Sequence, residues 1–271
     1  MKLGVLVHIG KDDIEQAISK VHDMGFESCQ LCCWDHTLCT DENAEIVNEA
    51  TKKYGVEIST FWCGWSGPQQ WNFYDGPLTL GLVPEDYRNQ RMQELLLGSD
   101  FAQKIGVTNV ATHVGFIPET PNTREYHSLI CSLRYIATSL KSKGQYFLFE
   151  TGQETPVTLR RAIEDIGTDN LGINLDPANL ILYGKANPID ALEVFGSYVR
   201  DIHGKDGCYP TNGRELGLET PIGEGKVNFP AFVAKLKEIG YDGPITIERE
   251  ISGEQQIKDI KAAKVYLEKL I

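Results

Sequence analysis

The sequence predicts an α/β protein in which a single domain, residues 1–271, forms a (β/α)8 barrel. Three observations favour this fold. Short apolar segments alternate with longer amphipathic segments eight times along the 271 residues. Barrels of this kind occupy about 250 residues, close to the length of this chain. No stretch rich in Pro, Gly or Ser divides the sequence into two parts.

The eight apolar segments have the composition of buried parallel strands. They are rich in Val, Ile, Leu and Phe and are bounded by Gly, Asn or Asp. Several are apolar at nearly every position, which is typical of a parallel sheet covered on both faces. In chain order, we predict strands at 2–9, 28–31, 57–61, 109–113, 146–150, 172–176, 199–203 and 245–248.

The segments between these strands have helical periodicity. Apolar side chains recur on one helix face within residues 14–21, 229–239 and 257–271. A glycine follows the predicted helix at four places: Gly25, Gly55, Gly106 and Gly240. A rival fold, the open doubly wound sheet, usually has a glycine-rich phosphate-binding turn after its first strand, and residues 8–12 do not form one.

The charge balance of the chain is acidic. Its 26 Lys and Arg residues against 38 Asp and Glu residues give a formal charge of −12. Binding to nucleic acid or to an anionic membrane needs clustered basic residues, so we expect neither partner. No segment approaches the roughly 18 consecutive apolar residues of a membrane span. Residues 1–10 have the pattern of a strand rather than of a signal peptide.

The seven cysteines are an odd number, which fits reduced thiols in a cytoplasmic protein. Cys29 and Cys32 have the spacing of a CxxC motif and are followed by Cys33, so zinc binding and redox chemistry are both open. The motif lies in an alternating apolar stretch and no second CxxC exists in the sequence. These features favour buried core thiols.

Four successive predicted strands each end in one ionisable residue. These residues are Glu150, Asp176, His203 and Glu248. In a barrel the four strand ends surround one mouth, at the face where active sites occur. Three carboxylates and one imidazole in a half-buried mouth repel one another unless a positive charge neutralises them. This set of oxygen and nitrogen ligands suits a divalent cation such as Mn²⁺, Mg²⁺ or Zn²⁺.

Further polar and aromatic residues lie near the predicted strand ends. The candidates for substrate contact are His8, His113, Trp65, Lys205 and Arg214. Both imidazoles are suited to hydrogen-bonding a polyol, and an aromatic ring is suited to covering the apolar face of a sugar. The connections 64–84 and 204–225 are long, and we expect a structureless loop in the first of them, which is typical of a functional segment.

Five motifs, taken in order, resemble those of a known family. They are FETGQET at 149–155, NLDPANL at 174–180, HGKDG at 203–207, PIGEG at 221–225 and GYDGPITIERE at 240–250. With them the chain resembles the xylose isomerase-like TIM barrel superfamily over nearly its whole length. Within that superfamily it is similar to the broad sugar phosphate isomerase/epimerase group.

The resemblance implies a metal-dependent enzyme of carbohydrate metabolism that acts on a sugar or sugar phosphate. A divalent ion, Mn²⁺ first with Mg²⁺, Zn²⁺ and Co²⁺ as alternatives, would be held by the four strand-end residues. Glu150 and Glu248 would also form the acid–base pair on opposite sides of a substrate carbon, next to a metal-chelated ketose carbonyl. Asn179 stands where the ketose 3-epimerases have a substrate-binding His, and Pro156 where they have a further Glu. Glu154 is then the expected substitute for that Glu.

Three other functions are alternatives to an isomerase or epimerase. A dehydratase would use the same metal and carboxylates to expel a hydroxyl group from a polyol-derived ketone. A non-catalytic barrel would bind a metal and a sugar without turnover. An endonuclease for abasic DNA is disfavoured, because it needs several His ligands and this chain has six His in all and a charge of −12. Relatives are often dimers or tetramers, so a homo-oligomer is a possible assembly.

Overall fold

Within residues 1–11 and 13–271, which the computed structural model describes, eight parallel strands close into a barrel. The prediction of a (β/α)8 barrel is therefore confirmed. The barrel strands are β1 (Lys2–His8), β2 (Ser28–Cys33), β3 (Glu57–Cys63), β4 (Asn109–Thr112), β5 (Tyr146–Glu150), β6 (Leu171–Leu175), β7 (Val199–Gly204) and β10 (Pro244–Ile247). The barrel closes where β1 pairs with β10, with Lys2 opposite Pro244.

Helices connect the strands and cover the outside of the barrel. They are α1 (Ile14–Asp23), α2 (Asp41–Tyr54), α3 (Gly76–Thr79), α4 (Glu85–Lys104), α5 (Arg124–Ser142), α6 (Pro156–Ile166), α7 (Pro177–Leu182), α8 (Pro188–Phe195), α9 (Phe229–Glu238) and α10 (Glu254–Leu267). Two short antiparallel strands, β8 (Asp206–Gly207) and β9 (Glu219–Thr220), lie between β7 and α9. None of the described helices combines the length and the apolar composition needed to cross a bilayer.

The hydrophobic core lies between the strands and the inner faces of the helices. The predicted apolar face of α1 is buried, and Ile18 and Val21 are fully enclosed. Each fully buried side chain of this size stabilises the fold by about 1.5–3 kcal/mol. Two predicted members of such faces are exposed instead: Ile239 follows the end of α9, and Ile257 lies in the first turn of α10.

The cysteines of the CxxC motif are core residues. Cys29, Cys32 and Cys33 all lie on β2 and are buried, and the described cysteines are free thiols. Burial raises the pKa of Cys29 to about 12, and nearby Asp201 adds to this effect. These thiols therefore stay protonated, which agrees with the predicted structural role.

The long connection 64–84 is not structureless, contrary to expectation. It contains α3, and Arg91 from α4 holds it from inside. The buried guanidinium of Arg91 donates to the carbonyl oxygens of Ser66 (3.0 Å), Thr79 (2.7 Å) and Gly81 (2.6 Å). The connection therefore has one defined position beside the barrel mouth, because leaving the buried guanidinium without these acceptors costs free energy.

The second long connection, 204–225, is anchored at its base by one carboxylate. Asp206 accepts hydrogen bonds from the backbone N–H groups of Gly207 (2.8 Å), Gly223 (2.9 Å), Gly225 (3.1 Å) and Val227 (3.1 Å). The two connections also meet, because the N–H of Phe73 donates to the carbonyl oxygen of Arg214 (2.9 Å). The two long connections therefore support each other through backbone pairing at Asn72 and Phe73.

A close approach at Gly81 gives a test of how firmly the 64–84 connection is seated. Gly81 has φ +70° and a Cβ there would lie 2.0 Å from the carbonyl oxygen of Val114, whereas Gly106 has φ +73° with open space around it. We expect Gly106→Ala to cost about 1–2 kcal/mol from backbone strain alone. Gly81→Ala should cost about 1–3 kcal/mol more, because of the overlap. Urea denaturation of both variants checks this, and equal losses would mean that the approach is not tight.

Candidate metal centre and active site

The structure brings the four predicted strand-end residues together. Glu150 is the last residue of β5, and Asp176 follows β6 as the N-cap of α7. His203 lies on β7, and Glu248 follows β10 directly. One ligand atom from each of the four lies within 4.8 Å of all the others. The barrel topology explains this convergence, because β5, β6, β7 and β10 are consecutive around the barrel.

The imidazole of His203 lies at the centre of the three carboxylates. Its Nδ1 is 3.1 Å from Glu248 Oε2, 3.4 Å from Glu150 Oε1 and 3.6 Å from Asp176 Oδ2. Among the described residues, the buried Nδ1 of His203 has no well-aligned hydrogen-bond partner, and neither have Oδ2 of Asp176 and Oε2 of Glu248, whose cationic neighbour is the ammonium of Lys205 at 3.4 and 3.1 Å. Buried polar atoms without partners cost free energy. Three of them facing one another fit a shared divalent cation, which would satisfy all three.

A second layer of side chains orients this imidazole. Nε2 of His203 lies 2.9 Å from Gln30 Oε1, and Gln30 Nε2 donates to Asn174 Oδ1 (3.0 Å). Nδ2 of Asn174 also lies 3.0 Å from Nε2, so this ring nitrogen has both an amide oxygen and an amide N–H group beside it. With the ring proton on Nε2, the lone pair of Nδ1 points to the carboxylates, which is the arrangement of a metal-binding histidine. Gln30 and Asn174 are functional residues that periodicity does not predict, although each is a polar residue within a largely apolar strand.

The electrostatic balance of the centre depends on positive charge. Burial alone would lower the pKa of His203, but Glu248 and Glu150 raise it well above its usual value. Burial would raise the pKa of Glu248, but Lys205 and His203 hold it well below its usual value. The carboxylate of Glu248 therefore stays ionised because cationic charge lies beside it, from Lys205 and from either a proton on His203 or a divalent ion.

Lys205 and Asn179, both predicted to contact substrate, lie against the centre. The buried ammonium of Lys205 is 3.1 Å from Glu248 Oε2, 3.4 Å from Asp176 Oδ2 and 2.7 Å from Glu250 Oε2. Asn179 donates from Nδ2 to Glu150 Oε1 (3.3 Å) and accepts at Oδ1 from Lys205 (3.5 Å). The side-chain amide of Asn179 thus links the carboxylate of Glu150 to the ammonium of Lys205.

Donors on β3 and directly after β4 hold the carboxylate of Glu150 in place. The indole Nε1 of Trp62 donates to Glu150 Oε2, and Nε2 of His113 lies 3.3 Å from Glu150 Oε1. Burial would raise the pKa of Glu150, but His113 and His203 lower it below its usual value. Trp62 is a contact that sequence reasoning did not assign, because nothing in the sequence indicates which way an indole N–H points.

A cavity of about 540 Å³ opens above the centre at the barrel mouth. Its wall includes two of the four cluster residues, Glu150 and Glu248, together with Leu6, His8, Cys32, Trp34, Trp62, Trp71, His113, Arg249, Glu250, Ile251, Ser252, Gln256 and Ile260. Asp176 and His203 are fully buried beside this wall. The predicted contacts His8 and His113 are therefore both on the cavity surface.

Five of the predicted substrate contacts are not on the cavity wall: Lys205 and Asn179, which lie against the metal centre, and Trp65, Arg214 and Glu154. Trp65 is fully buried, because its ring packs between Trp34 and Trp71 and under the guanidinium of Arg91. Arg214 is exposed, and its guanidinium lies 5.6 Å from the ring centre of Tyr74. Glu154 is buried after β5, away from the residues that line the cavity.

The family model for the xylose isomerase-like TIM barrel matches residues 18–270. The chain belongs to this family. A xylose isomerase domain protein from Planctomyces limnophilus, of known structure, is 34% identical, with 99% of this chain and 96% of that chain covered and a TM-score of 0.94. The uncharacterized protein MJ1311 of Methanocaldococcus jannaschii is 26% identical, over 99% of this chain and 90% of its own length. A D-tagatose 3-epimerase-like protein shares the fold, with 24% identity, a TM-score of 0.75, and 100% and 98% of the two chains covered.

The geometry of this family member predicts metal binding at His203. Mn²⁺ at about 100-fold excess over its dissociation constant should stabilise the protein by about 3 kcal/mol, since it binds only the folded chain. A rise in Tm of several degrees on adding Mn²⁺, reversed by a chelator, is the expected result. His203→Ala should abolish the rise, while His127→Ala, at an exposed position on α5, should keep it. An equal rise in both variants would place the metal elsewhere.

The buried carboxyl of Glu154 predicts a pH-dependent loss of stability. Burial raises its pKa from 4.5 to about 8. Between these pH values the folded chain keeps a proton that the unfolded chain has lost, so stability falls as the pH rises from about 4.5 to about 8. Glu154→Gln should remove a loss on the order of a few kcal/mol across this window.

Urea denaturation at pH 5 and pH 8 measures that difference. Glu49→Gln, at an exposed position on α2, is the control and should keep the pH dependence of the parent protein. If Glu154→Gln and the parent lose the same stability between the two pH values, Glu154 is ionised in the folded protein.

Proposed function

We propose that this protein is a metal-dependent sugar isomerase or epimerase that transfers a proton at the carbon next to a ketose carbonyl. The observation that carries the proposal is the placement of Glu150 and Glu248. Both line the same cavity, and β6 and β7, which lead to Asp176 and His203, separate the strands that hold them. Two carboxylates therefore flank one bound substrate from two sides, which proton removal and proton return require.

The metal centre would consist of Glu150, Asp176, His203 and Glu248, with Mn²⁺ as the first candidate ion and Mg²⁺, Zn²⁺ or Co²⁺ as alternatives. A divalent ion bound there supplies Lewis-acid polarisation of a carbonyl oxygen, which lowers the cost of proton loss from the adjacent carbon. The family resemblance and the D-tagatose 3-epimerase-like structure support a sugar as substrate, in free or phosphorylated form.

The chain's own residues give each carboxylate the state that proton transfer needs. Trp62 and His113 hold Glu150 as an oriented carboxylate, and Lys205 does the same for Glu248. One of the two removes the proton, and the other returns a proton to the opposite face of that carbon or to the neighbouring carbon. The first outcome is epimerisation and the second is aldose–ketose isomerisation. The imidazole of His113 also lines the cavity, beside the space that a substrate hydroxyl would occupy.

Solvent exchange tests the proposed proton transfer. The protein loaded with Mn²⁺ is incubated with a panel of ketoses, aldoses and their phosphate esters in D₂O, and carbon-bound deuterium is measured by NMR. We expect incorporation next to the carbonyl of at least one sugar. Glu150→Gln should slow it by about 10²–10⁴-fold or more, because an amide cannot take the proton.

The control for this variant is Glu49→Gln, which removes one carboxylate far from the cavity and should exchange at the parental rate. Absence of carbon-bound deuterium with every sugar would contradict the proposal. A dehydrated product without stereochemical change would instead assign the centre to a dehydratase, and metal binding without any turnover would assign it to a binding protein.

A further inference from the structure

Two cysteine thiols outside the metal centre share a hydrogen bond. Cys33 is the last residue of β2 and is fully buried, whereas Cys39 directly follows a single turn of 3₁₀ helix (His36–Leu38) and keeps 7% of its surface exposed. The S–H group of Cys33 has two acceptors beside it, the carbonyl oxygen of Asp35 at 3.3 Å and the sulfur of Cys39. The lining of the cavity includes neither of the two cysteines.

The turn between the two cysteines keeps their side chains together. The N–H of Leu38 donates to the carbonyl oxygen of Asp35 (3.0 Å), and the N–H of Cys39 donates to that of His36 (3.1 Å). Nε2 of His36 also lies 3.0 Å from the carbonyl oxygen of Gly64, which follows β3 and so ties the turn to the barrel. Two cysteines can be bridged only where their side chains point toward each other, and thiols that share a hydrogen bond meet this condition.

The two thiols differ in acidity. The hydrogen bond from Cys33 lowers the pKa of Cys39 below its usual value. The ammonium of Lys104 acts in the same direction, whereas burial and the carboxylate of Asp35 oppose it. Cys39 also precedes α2, separated from it by the N-cap Thr40, and a helix N-terminus favours a nearby thiolate. The hydrogen bond to Cys39, together with burial, raises the pKa of Cys33. One sulfur of the pair is therefore prone to ionise, and the other keeps its proton.

A third thiol close to this pair has acceptors of its own. Cys63 lies opposite Cys33 where β2 pairs with β3. Its sulfur is 3.6 Å from the carbonyl oxygen of Gly64 and 3.9 Å from that of Glu94. Burial raises the pKa of Cys63 well above its usual value, so this sulfur remains a thiol. Cys39 is therefore the better placed of the two neighbours to form a bond with Cys33.

From these contacts we propose that Cys33 and Cys39 form a redox-active site, which a peroxide converts to a disulfide. Cys39 is the sulfur that reacts with the peroxide, and Cys33 is the sulfur that completes the bond. Cysteines that respond to peroxide combine thiolate character with some access to solvent and a second thiol within reach. Cys39 has the first two properties, and Cys33 provides the third.

The proposed oxidation needs only the two thiols and the peroxide. The thiolate sulfur of Cys39 attacks one oxygen of hydrogen peroxide, so that an S–O bond forms and the O–O bond breaks. The departing hydroxide takes up the proton that Cys39 had lost. The sulfur of Cys33 then attacks the sulfur of Cys39 and gives its proton to the leaving hydroxyl group, so an S–S bond replaces the S–O bond. The thiols lose two electrons and two protons, and the peroxide is reduced to two water molecules.

Mass spectrometry tests the proposed bond. The reduced protein is treated with one equivalent of hydrogen peroxide, its free thiols are blocked with N-ethylmaleimide, and the chain is cleaved before each aspartate. This cleavage leaves Cys39 alone in fragment 35–40, Cys33 with two further cysteines in fragment 23–34, and Cys63 alone in fragment 41–74. We expect the first two fragments to be recovered as one species that a dithiol reductant separates. Fragmentation of its backbone should assign the bond to Cys33.

Variants assign a role to each sulfur. In Cys33→Ala, sulfenic acid should accumulate at Cys39 and react with dimedone, because the second thiol is missing. In Cys39→Ser, Cys33 should give no dimedone adduct, because it keeps its proton. Cys131→Ser, at an exposed position on α5, is the control and should form the disulfide at the parental rate. In the parent protein, Cys39 should be oxidised at least about threefold faster than Cys131, since the thiolate is the reacting species.

The outcomes decide the inference without reference to the proposed isomerase or epimerase activity. A disulfide that joins fragment 23–34 to fragment 41–74 overturns it, because Cys63 is then the partner. Oxidation confined to Cys131 and Cys208, which are the more accessible thiols, also overturns it. If Cys33→Ala gives no dimedone adduct at Cys39 and the parent forms no bond between fragments 23–34 and 35–40, the pair is a structural contact only.

Discussion

The mutual repulsion of three buried carboxylates is the constraint on which the mouth of this barrel depends. Glu150, Asp176 and Glu248 face one imidazole. Cationic and neutral donors hold the three carboxylates in place, and these donors are Lys205, Trp62, His113 and Asn179. Such an arrangement is unfavourable for folding unless positive charge enters it. A centre of this kind is therefore best explained by what it binds, since it contributes nothing to stability that apolar packing would not supply better.

The barrel fold makes this concentration of charge possible. Each ionisable residue comes at or directly after the carboxyl end of its strand, and β5, β6 and β10 carry no other charged residue, whereas β7 also carries Arg200 and the buried Asp201. Consecutive strands are hydrogen-bonded neighbours, so their ends lie side by side whatever the conformation of the connecting loops. The loops are then free to form the remaining walls, as the 64–84 connection does with Trp71.

The barrel and the metal centre could be predicted from the sequence, whereas the direction of several side chains could not, for physical reasons. Strand order and the position of ionisable residues follow from periodicity, so the barrel and the meeting of Glu150, Asp176, His203 and Glu248 were foreseeable. The burial of Trp65 was not, because it depends on how the 64–84 connection turns back on Arg91. The positions of Arg214 and Glu154 outside the cavity lining have the same origin: both lie in connections, where residue type does not reveal direction. Gln30 and Asn174 were missed because the interior of a strand was treated as uniformly apolar.

The carboxylate of Asp206 has a consequence for how such a protein can change over generations. Its four backbone hydrogen bonds tie the start of the 204–225 connection to its end, so the segment between them emerges from a closed base. Insertions or deletions within 208–222 would alter the segment that pairs with Asn72 and Phe73, next to Trp71 of the cavity wall, without shifting Lys205, which directly precedes Asp206. New ligand preferences can then arise through changes in the length of this segment, while the metal centre is left intact.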